Sequence, residues 1–172
     1  DELRHITYYG RRLGVEVDKR DLPGGEKAWG WVKKGIPLRL EIGNKEYSAN
    51  TVFMGRRDKE YKDRKSLPRE VFLSSVTTEL EELQTNLLQR AHAFQKQNTQ
   101  TITDRNAFYE FFNGDGGFAL AHWNGDPVIE EKIKQELSVT IRCIPFSNES
   151  RTGKCIFTGE ASSQQALFAK AY

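Results

Sequence analysis

Residues 33–43 read KKGIPLRLEIG, and their pattern decides the fold of the first part of the chain. Apolar and charged residues alternate from Leu38 to Ile42, and a glycine follows. Alternation with a period of two predicts a β-strand that buries one of its faces. Arg39 then points away from Leu38 and Leu40, because successive side chains of a strand face opposite ways.

The segments around this strand predict further elements. Apolar residues of 3–13 recur at helical spacing, and a short strand is expected at 15–17. Residues 18–30 contain aspartate, proline and glycine and predict a long loop, whereas 51–54 predict a second strand. A helix followed by a strand is an unusual start for an α/β domain. We therefore expect the first strand of the domain to be missing and the chain to begin within a longer protein.

A long helix is predicted next, over residues 68–97. Its apolar stripe runs from Phe72 to Phe94 with spacings of three and four for about seven turns. Proline is typical of a first helical turn, and the polar stretch QKQNTQT marks the end. The helix divides the chain into a first domain at 1–67, a linker helix and a second domain at 98–172.

The second domain alternates helices and strands in an α+β pattern. Asp126 and Pro127 are typical of a helix start, as are the polar residues Thr103 and Asp104. The predicted elements are a helix at 107–112, a strand at 118–123, a helix at 127–137, and strands at 139–144 and 167–169.

Composition excludes several classes of protein. Apolar residues make up 37% of the 172, which favours a folded core, and no run is long enough to span a membrane. The sequence shows no signal-peptide pattern, and its two cysteines are too few for a disulfide framework, so we expect a cytoplasmic protein. A net charge of +2 does not by itself indicate a nucleic-acid partner. We find no phosphate loop and no catalytic set of residues.

Three stretches together resemble the C-terminal part of prolyl-tRNA synthetases of the archaeal and eukaryotic type. They are KKGIPLRLEIG, the series HWNGDP, EEKIK and TIRCIPF within 122–146, and LFAKAY at 167–172. The resemblance covers essentially the whole chain. It implies an α/β anticodon-binding domain with a mixed sheet, joined by a long helix to a small α+β C-terminal domain of the zinc type.

The resemblance implies the tRNA-binding part of a class II synthetase that ligates proline to its tRNA. The family's catalytic domain, which uses ATP and Mg²⁺, has no counterpart here, and such enzymes are usually homodimers. In the family the terminal residue, here Tyr172, turns back toward the catalytic domain. Two alternatives are a non-catalytic accessory module that binds RNA or protein, and a small metal-free enzyme of unknown reaction.

Anticodon contacts follow from the family motifs. Proline anticodons share two guanines, whose O6 and N7 accept from arginine or lysine. The motif places one reader at Arg39 and a second at Lys62, and Arg57 matches the second arginine of the RRD turn as a further expected anticodon contact. Without the resemblance, Arg39 reads as a solvated strand residue and Lys62 as part of a mixed-charge turn. Val32 stands where the family often has a glutamate, so either Glu26 or another acceptor replaces it, or this protein reads that base differently.

Further basic and aromatic residues surround these positions. We expect contacts to RNA phosphates, which add salt-dependent affinity without sequence readout, from five residues: Lys33, Lys34, Arg56, Lys59 and Arg64. Trp29 and Tyr61 are candidates for stacking on unpaired bases, whereas Trp31 is expected in the core.

Residues 153–159, GKCIFTG, resemble a zinc knuckle that lacks ligands. The four cysteines of zinc-binding relatives correspond here to Asn124, Ile129, Cys155 and Thr158. A structural zinc needs four ligands, mostly cysteine or histidine, so we expect no zinc in this chain. An alternative that we do not favour is a different zinc site, formed by His122, Cys155 and Asp126. Cys143 lies in an apolar strand and is expected to be buried.

Overall fold

A computed structural model describes residues 1–146 and 152–171. The chain divides into two compact units, Asp1–Arg90 and Ala91–Tyr172. A helix of 29 residues, Arg69–Gln97, continues from the first unit into the second. The predicted fold class is thereby confirmed, whereas the domain boundaries at residues 67 and 97 stay predictions.

The first unit is built on a three-stranded sheet of order β3-β4-β5, whose described pairings are antiparallel. Its elements are α1 (Glu2–His5), β1 (Thr7–Tyr8), β2 (Arg11–Arg12), α2 (Gly24–Lys33), β3 (Leu38–Glu41), α3 (Asn44–Ser48), β4 (Thr51–Arg56), a 3-10 turn (Tyr61–Asp63), β5 (Lys65–Pro68) and α4 (Arg69–Gln97).

The helix predicted at 3–13 is wrong. Helix α1 stops at His5, and a two-stranded hairpin, β1-β2, follows. Its turn places Tyr9 at φ 47° and Gly10 at φ 74°, the paired positive values that a tight hairpin turn requires. The strand predicted at 15–17 is also wrong, because these residues are irregular.

The loop predicted at 18–30 is partly wrong, because α2 begins at Gly24. Pro23 precedes the helix, and Glu26 lies in its first turn, where a negative charge is favourable. Two glycines at the start of the helix concealed it, since glycine is a poor helix former. Ala28 is its buried residue among those described.

The core of the first unit lies between the sheet and α4. Buried residues of β4 and α4 meet leucines of β3 and β5 in one apolar cluster. The predicted strands at 38–42 and 51–54 and the long helix are confirmed in type. Pro68 does not open the helix, because it pairs with Thr51 as the last residue of β5.

The second unit holds a mixed four-stranded sheet of order β6-β7-β11-β8, in which β6 runs parallel to β7. Asp104, and not Thr103, caps the first helix by accepting from two backbone amides, and Asp126 caps the next. The elements are β6 (Thr99–Thr101), α5 (Arg105–Asn113), β7 (Phe118–His122), α6 (Pro127–Leu137), β8 (Val139–Cys143), β9 (Gly153–Lys154), β10 (Ala161–Ser162) and β11 (Gln165–Lys170).

Candidate nucleic-acid interface

The face of the first sheet that points away from α4 carries the predicted reader Arg39. Leu38 and Leu40 pack into the core cluster, so the alternation of β3 directs Arg39 and Glu41 to the other face. In the register, Arg39 lies opposite Gly55 on the neighbouring strand. The predicted orientation of Arg39 is confirmed.

Arg39 is less open than a solvated strand residue. Its side chain is 17% exposed, and its Nε donates to Glu41 Oε1 at 3.3 Å. The ring of Tyr61, a residue that is 63% exposed, lies 5.9 Å from the guanidinium carbon. We call the set Arg39, Glu41, Phe53, Tyr61 and Arg64 the outer-face cluster.

Arg64 belongs to this cluster, although the sequence predicts a phosphate contact for it. Its guanidinium carbon lies 3.5 Å from the centroid of the Tyr61 ring and 4.8 Å from that of Phe53. Its Nη1 donates to Glu41 Oε1 at 3.0 Å, and its Nε donates to the Tyr61 carbonyl at 3.0 Å. The side chain is 17% exposed, so Arg64 is held within the face and not extended toward solvent.

Arg57 and Lys62 differ in their surroundings. Arg57 Nη1 donates to the carbonyl of Gly35 at 2.6 Å, and its backbone amide donates to Pro37 at 3.0 Å. Through these two hydrogen bonds, Arg57 links the end of β4 to the turn that precedes β3. Lys62 is an open cation, with 77% of its side chain exposed and a single ion pair to Glu60 at 2.9 Å.

The side chain of Arg56 is buried, and its position does not fit the predicted phosphate contact. Its side chain is 7% exposed and forms ion pairs with Asp58 at 2.9 Å, Glu79 at 2.6 Å and Glu82 at 2.9 Å. The hydrogen bonds that Arg56 donates, first to Asp58 and then to Glu82 and Glu79, raise the pKa of Arg56 above its usual range, so it stays charged. The sequence could not reveal this network, because α4 supplies two of the carboxylates from more than twenty residues away.

Hydrogen bonds also set the ionisation of the partners of Arg56. Arg56 and then Asn86 lower the pKa of Asp58 to about 2, against a partly opposing effect of burial. Burial raises the pKa of Glu79, but hydrogen bonds from Lys65 and Arg56 outweigh it, and the pKa falls. Both carboxylates are therefore negative at neutral pH and balance the arginine.

The remaining predicted phosphate contacts lie on the surface. Lys33, Lys34 and Lys59 are exposed. Lys34 Nζ lies 4.4 Å from the ring of Trp31. This distance lies within the roughly 6 Å range of a cation–π contact.

Trp31 is half-buried and lies outside the apolar core, so its predicted core position is wrong. Its Nε1 donates to Asp18 Oδ2 at 2.7 Å, and Arg20 forms an ion pair with the same carboxylate at 2.6 Å. Trp29 is 61% exposed and Val32 is 41% exposed on the neighbouring helix face. The ring of Trp29 is therefore largely accessible to solvent.

The knuckle at 153–159 closes with protein hydrogen bonds. Cys155 is buried, with its thiol 3.6 Å from Asn124 Oδ1, and its amide donates to the Glu160 carbonyl at 2.8 Å. Burial raises the pKa of Cys155, but hydrogen bonds from Thr158 and nearby backbone amides outweigh this, so the pKa is lowered. The described residues contain no group of three or more His, Cys, Asp or Glu placed to hold a metal. One thiol beside an amide and a hydroxyl does not fit a structural zinc site.

Two other predictions about the second unit have different outcomes. Cys143 is exposed at the end of β8, so its predicted burial is wrong. The prediction for Tyr172 lies outside the described residues. Among the described residues, no helix has both the length and the apolar character needed to cross a membrane.

Sequence comparison assigns both units to known families. The model described as "Anticodon binding domain" matches residues 10–90, and that described as "Prolyl-tRNA synthetase, C-terminal" matches 106–172. Proline--tRNA ligase 2 of Anaeromyxobacter dehalogenans is 40% identical over 183 residues, covering 99% of this chain and 36% of the relative. Proline--tRNA ligase of Protochlamydia amoebophila is 42% identical over 180 residues, covering 99% and 35%.

A solved structure has the same fold. The crystal structure of prolyl-tRNA synthetase from Cryptosporidium parvum, complexed with L-proline and AMP, superposes with a TM-score of 0.73 at 27% identity. The match covers 95% of this chain and 34% of that one. The chain thus spans about a third of the length of the relatives that it matches.

Proposed function

Because this chain belongs to the prolyl-tRNA synthetase family, as its anticodon-binding and C-terminal region, we propose that it binds the anticodon stem-loop of proline tRNA. The whole enzyme would use this contact to select the tRNA to which it ligates proline. The observation that carries the proposal is the outer-face cluster, which presents an arginine beside an exposed aromatic ring. Proteins read RNA through unstacked bases in loops, by stacking and by hydrogen bonds to base edges.

Arg39 is the proposed reader of one anticodon guanine. Its Nη1 and Nη2 make no hydrogen bond to another described residue, so this pair can donate to O6 and N7 of a guanine. Lys62, exposed on the turn after β4, is the proposed reader of the second guanine. Arg57 supports both by holding the Gly35 turn.

Lys33, Lys34 and Lys59 are the proposed phosphate contacts, since their exposed ammonium groups can approach an RNA backbone. Arg56 is left out because carboxylates already engage it. Arg64 is left out because it stacks within the outer-face cluster. Trp29 and Tyr61 are proposed to stack on bases.

The wider proposals concern the whole enzyme. ATP and Mg²⁺ would act in its catalytic domain, which would contact this region, and the enzyme would work as a homodimer in the cytoplasm. The accessory-module alternative draws on the absence of a glutamate at Val32. It is less well supported, because two relatives that match almost the whole chain are named proline--tRNA ligases.

A binding measurement tests the proposal. The chain is titrated with the anticodon stem-loop of proline tRNA and with the same loop after replacement of both shared guanines. We expect tighter binding to the native loop, and a salt slope that falls by roughly 0.7–0.9 for each of Lys33, Lys34 and Lys59 neutralised. Equal affinity for both loops would refute anticodon recognition. A slope unchanged by all three substitutions would refute the phosphate assignment.

A further inference from the structure

One carboxylate oxygen joins the two arginines of the outer-face cluster. Glu41 Oε1 accepts from Arg39 Nε at 3.3 Å and from Arg64 Nη1 at 3.0 Å. Each hydrogen bond is assisted by charge, and both donors reach the carboxylate from one side of the sheet. Glu41 thereby holds two like charges next to each other, an arrangement that would otherwise be repulsive.

Arg64 is immobilised by contacts beyond this carboxylate. It is in contact distance of the rings of Tyr61 and Phe53, and its Nε is bonded to a backbone carbonyl. These contacts engage two of its three guanidinium nitrogens and place two aromatic rings beside the group. Arg64 is therefore a fixed support for the Glu41 carboxylate, and it has little freedom to follow an RNA phosphate.

The bond to Glu41 engages the Nε of Arg39 and leaves the Nη pair without a hydrogen bond among the described residues. An arginine held at Nε has lost part of its rotamer freedom before any ligand arrives. Its cost of ordering on binding is then smaller, which increases both affinity and geometric selectivity. The fork can select one base edge only if its plane is fixed, because bidentate contacts depend on orientation.

Gly55 provides the space for this arrangement. It lies opposite Arg39 in the register, in the buried part of β4. A Cβ atom there would lie 3.2 Å from Arg39 Nη2 and 3.2 Å from Arg64 Cγ. Glycine in a strand interior often marks a close approach of this kind.

We infer that Glu41 and Arg64 are positioning residues, which orient the Nη pair of Arg39 toward the O6 and N7 edge of an unstacked guanine in single-stranded RNA. The inference rests on the proposed function, because it takes Arg39 as a guanine reader. It adds that selectivity depends on two residues that need not touch the base. The class of ligand is a purine that presents two adjacent acceptors, as guanine does.

The experiment compares the anticodon stem-loop of proline tRNA with loops in which each shared guanine in turn is 7-deazaguanine. This base lacks only the N7 acceptor. Wild-type protein is expected to bind one of the modified loops about tenfold more weakly, the loss of part of one bidentate contact. The ratio of interest is the affinity for the native loop divided by that for the modified loop. Glu41→Ala and Arg64→Met are each expected to reduce this ratio to about twofold.

The same variants in an Arg39→Ala background separate positioning from a general structural effect. There, Glu41→Ala is expected to leave the ratio unchanged, because no fork remains to orient. Glu70→Ala is the matched control, since it removes an exposed carboxylate that pairs with Arg69 in the same unit. It should keep the tenfold ratio, and denaturation midpoints should show that all variants are folded.

The outcomes distinguish the inference from the proposed function. If Arg39→Ala abolishes the ratio but Glu41→Ala and Arg64→Met keep it, the positioning inference is overturned and the proposed function stands. If Glu41→Ala changes the ratio of native-loop to modified-loop affinity equally in the wild-type and Arg39→Ala backgrounds, the positioning inference is likewise overturned. If wild-type protein binds all loops alike, the proposed reading by Arg39 fails.

Discussion

Arg39 and Glu41, two residues apart on β3, are joined by a hydrogen bond of 3.3 Å on the face opposite the leucines. The alternation that buries the leucines also brings these two charges together. The same strand therefore contributes to the core on one side and to a candidate RNA surface on the other.

Replacing Arg56 should strongly destabilise the first unit. Arg56→Ala leaves Asp58, Glu79 and Glu82 close together without their shared cation. Removing one partner of a buried ion pair typically lowers the free energy of unfolding by about 3–5 kcal/mol. Urea denaturation measures the change. Lys62→Ala is the control, because its exposed pair contributes about 0–1 kcal/mol. Similar losses for both variants would contradict the structural role of Arg56.

Acid should weaken the network through Asp58. Its pKa is lowered from 3.8 to about 2, so the stability gained from the charged form is complete above pH 4 and is lost as the pH falls toward 2. Denaturation measured between pH 5 and 2 should show this decline. Asp58→Asn should be less stable at pH 5 and should lose less stability on acidification. A slope with pH identical to that of wild type would exclude Asp58 as its source.

Gly55→Ala should affect RNA selectivity more than stability. The new methyl group would lie 3.2 Å from Arg39 Nη2 and 3.2 Å from Arg64 Cγ, so both side chains must shift by a few tenths of an ångström. We expect a change in unfolding free energy of at most about 1 kcal/mol, and a reduced preference for the native anticodon loop. Gly25→Ala is the control, since a Cβ there meets nothing within 4 Å. Unchanged selectivity in Gly55→Ala would show that the arginines tolerate displacement.

Protein purified without chelators should contain much less than one zinc per chain. Of the four positions compared with zinc ligands, Asn124, Ile129, Cys155 and Thr158, Cys155 alone carries a thiol, and that thiol lies 3.6 Å from Asn124 Oδ1. Structural zinc sites use four strong ligands. Elemental analysis decides the question. A stoichiometric zinc that a chelator removes with loss of stability would contradict the prediction.

Regular amphipathic patterns made much of the fold predictable. Helix α4 has a long apolar stripe, and α6 begins with a capping aspartate and a proline, so the sequence locates both within a few residues. The hairpin at 7–12 was missed because its apolar spacing also fits a helix. Helix α2 was missed because glycines occupy its first turn.

The candidate site was predictable only in part. Alternation alone places Arg39 on the outer face, and it could also have placed Glu41 there, two residues on. The sequence could not separate open cations from engaged ones. Arg56 and Arg64 look like Lys59 in the sequence, but their partners arrive from α4 and β3 through tertiary packing.

The central claim is that Arg39 reads one anticodon guanine. The direct test measures the affinities of wild type, Arg39→Ala and Arg39→Lys for anticodon stem-loops in which each guanine is replaced in turn by adenine. Wild type should lose about 1–3 kcal/mol at the position that Arg39 reads. Arg39→Ala should show no penalty at that position and keep the penalty at the other, and Arg39→Lys should recover part of the selectivity. Equal penalties at both positions in wild type and Arg39→Ala would contradict the account.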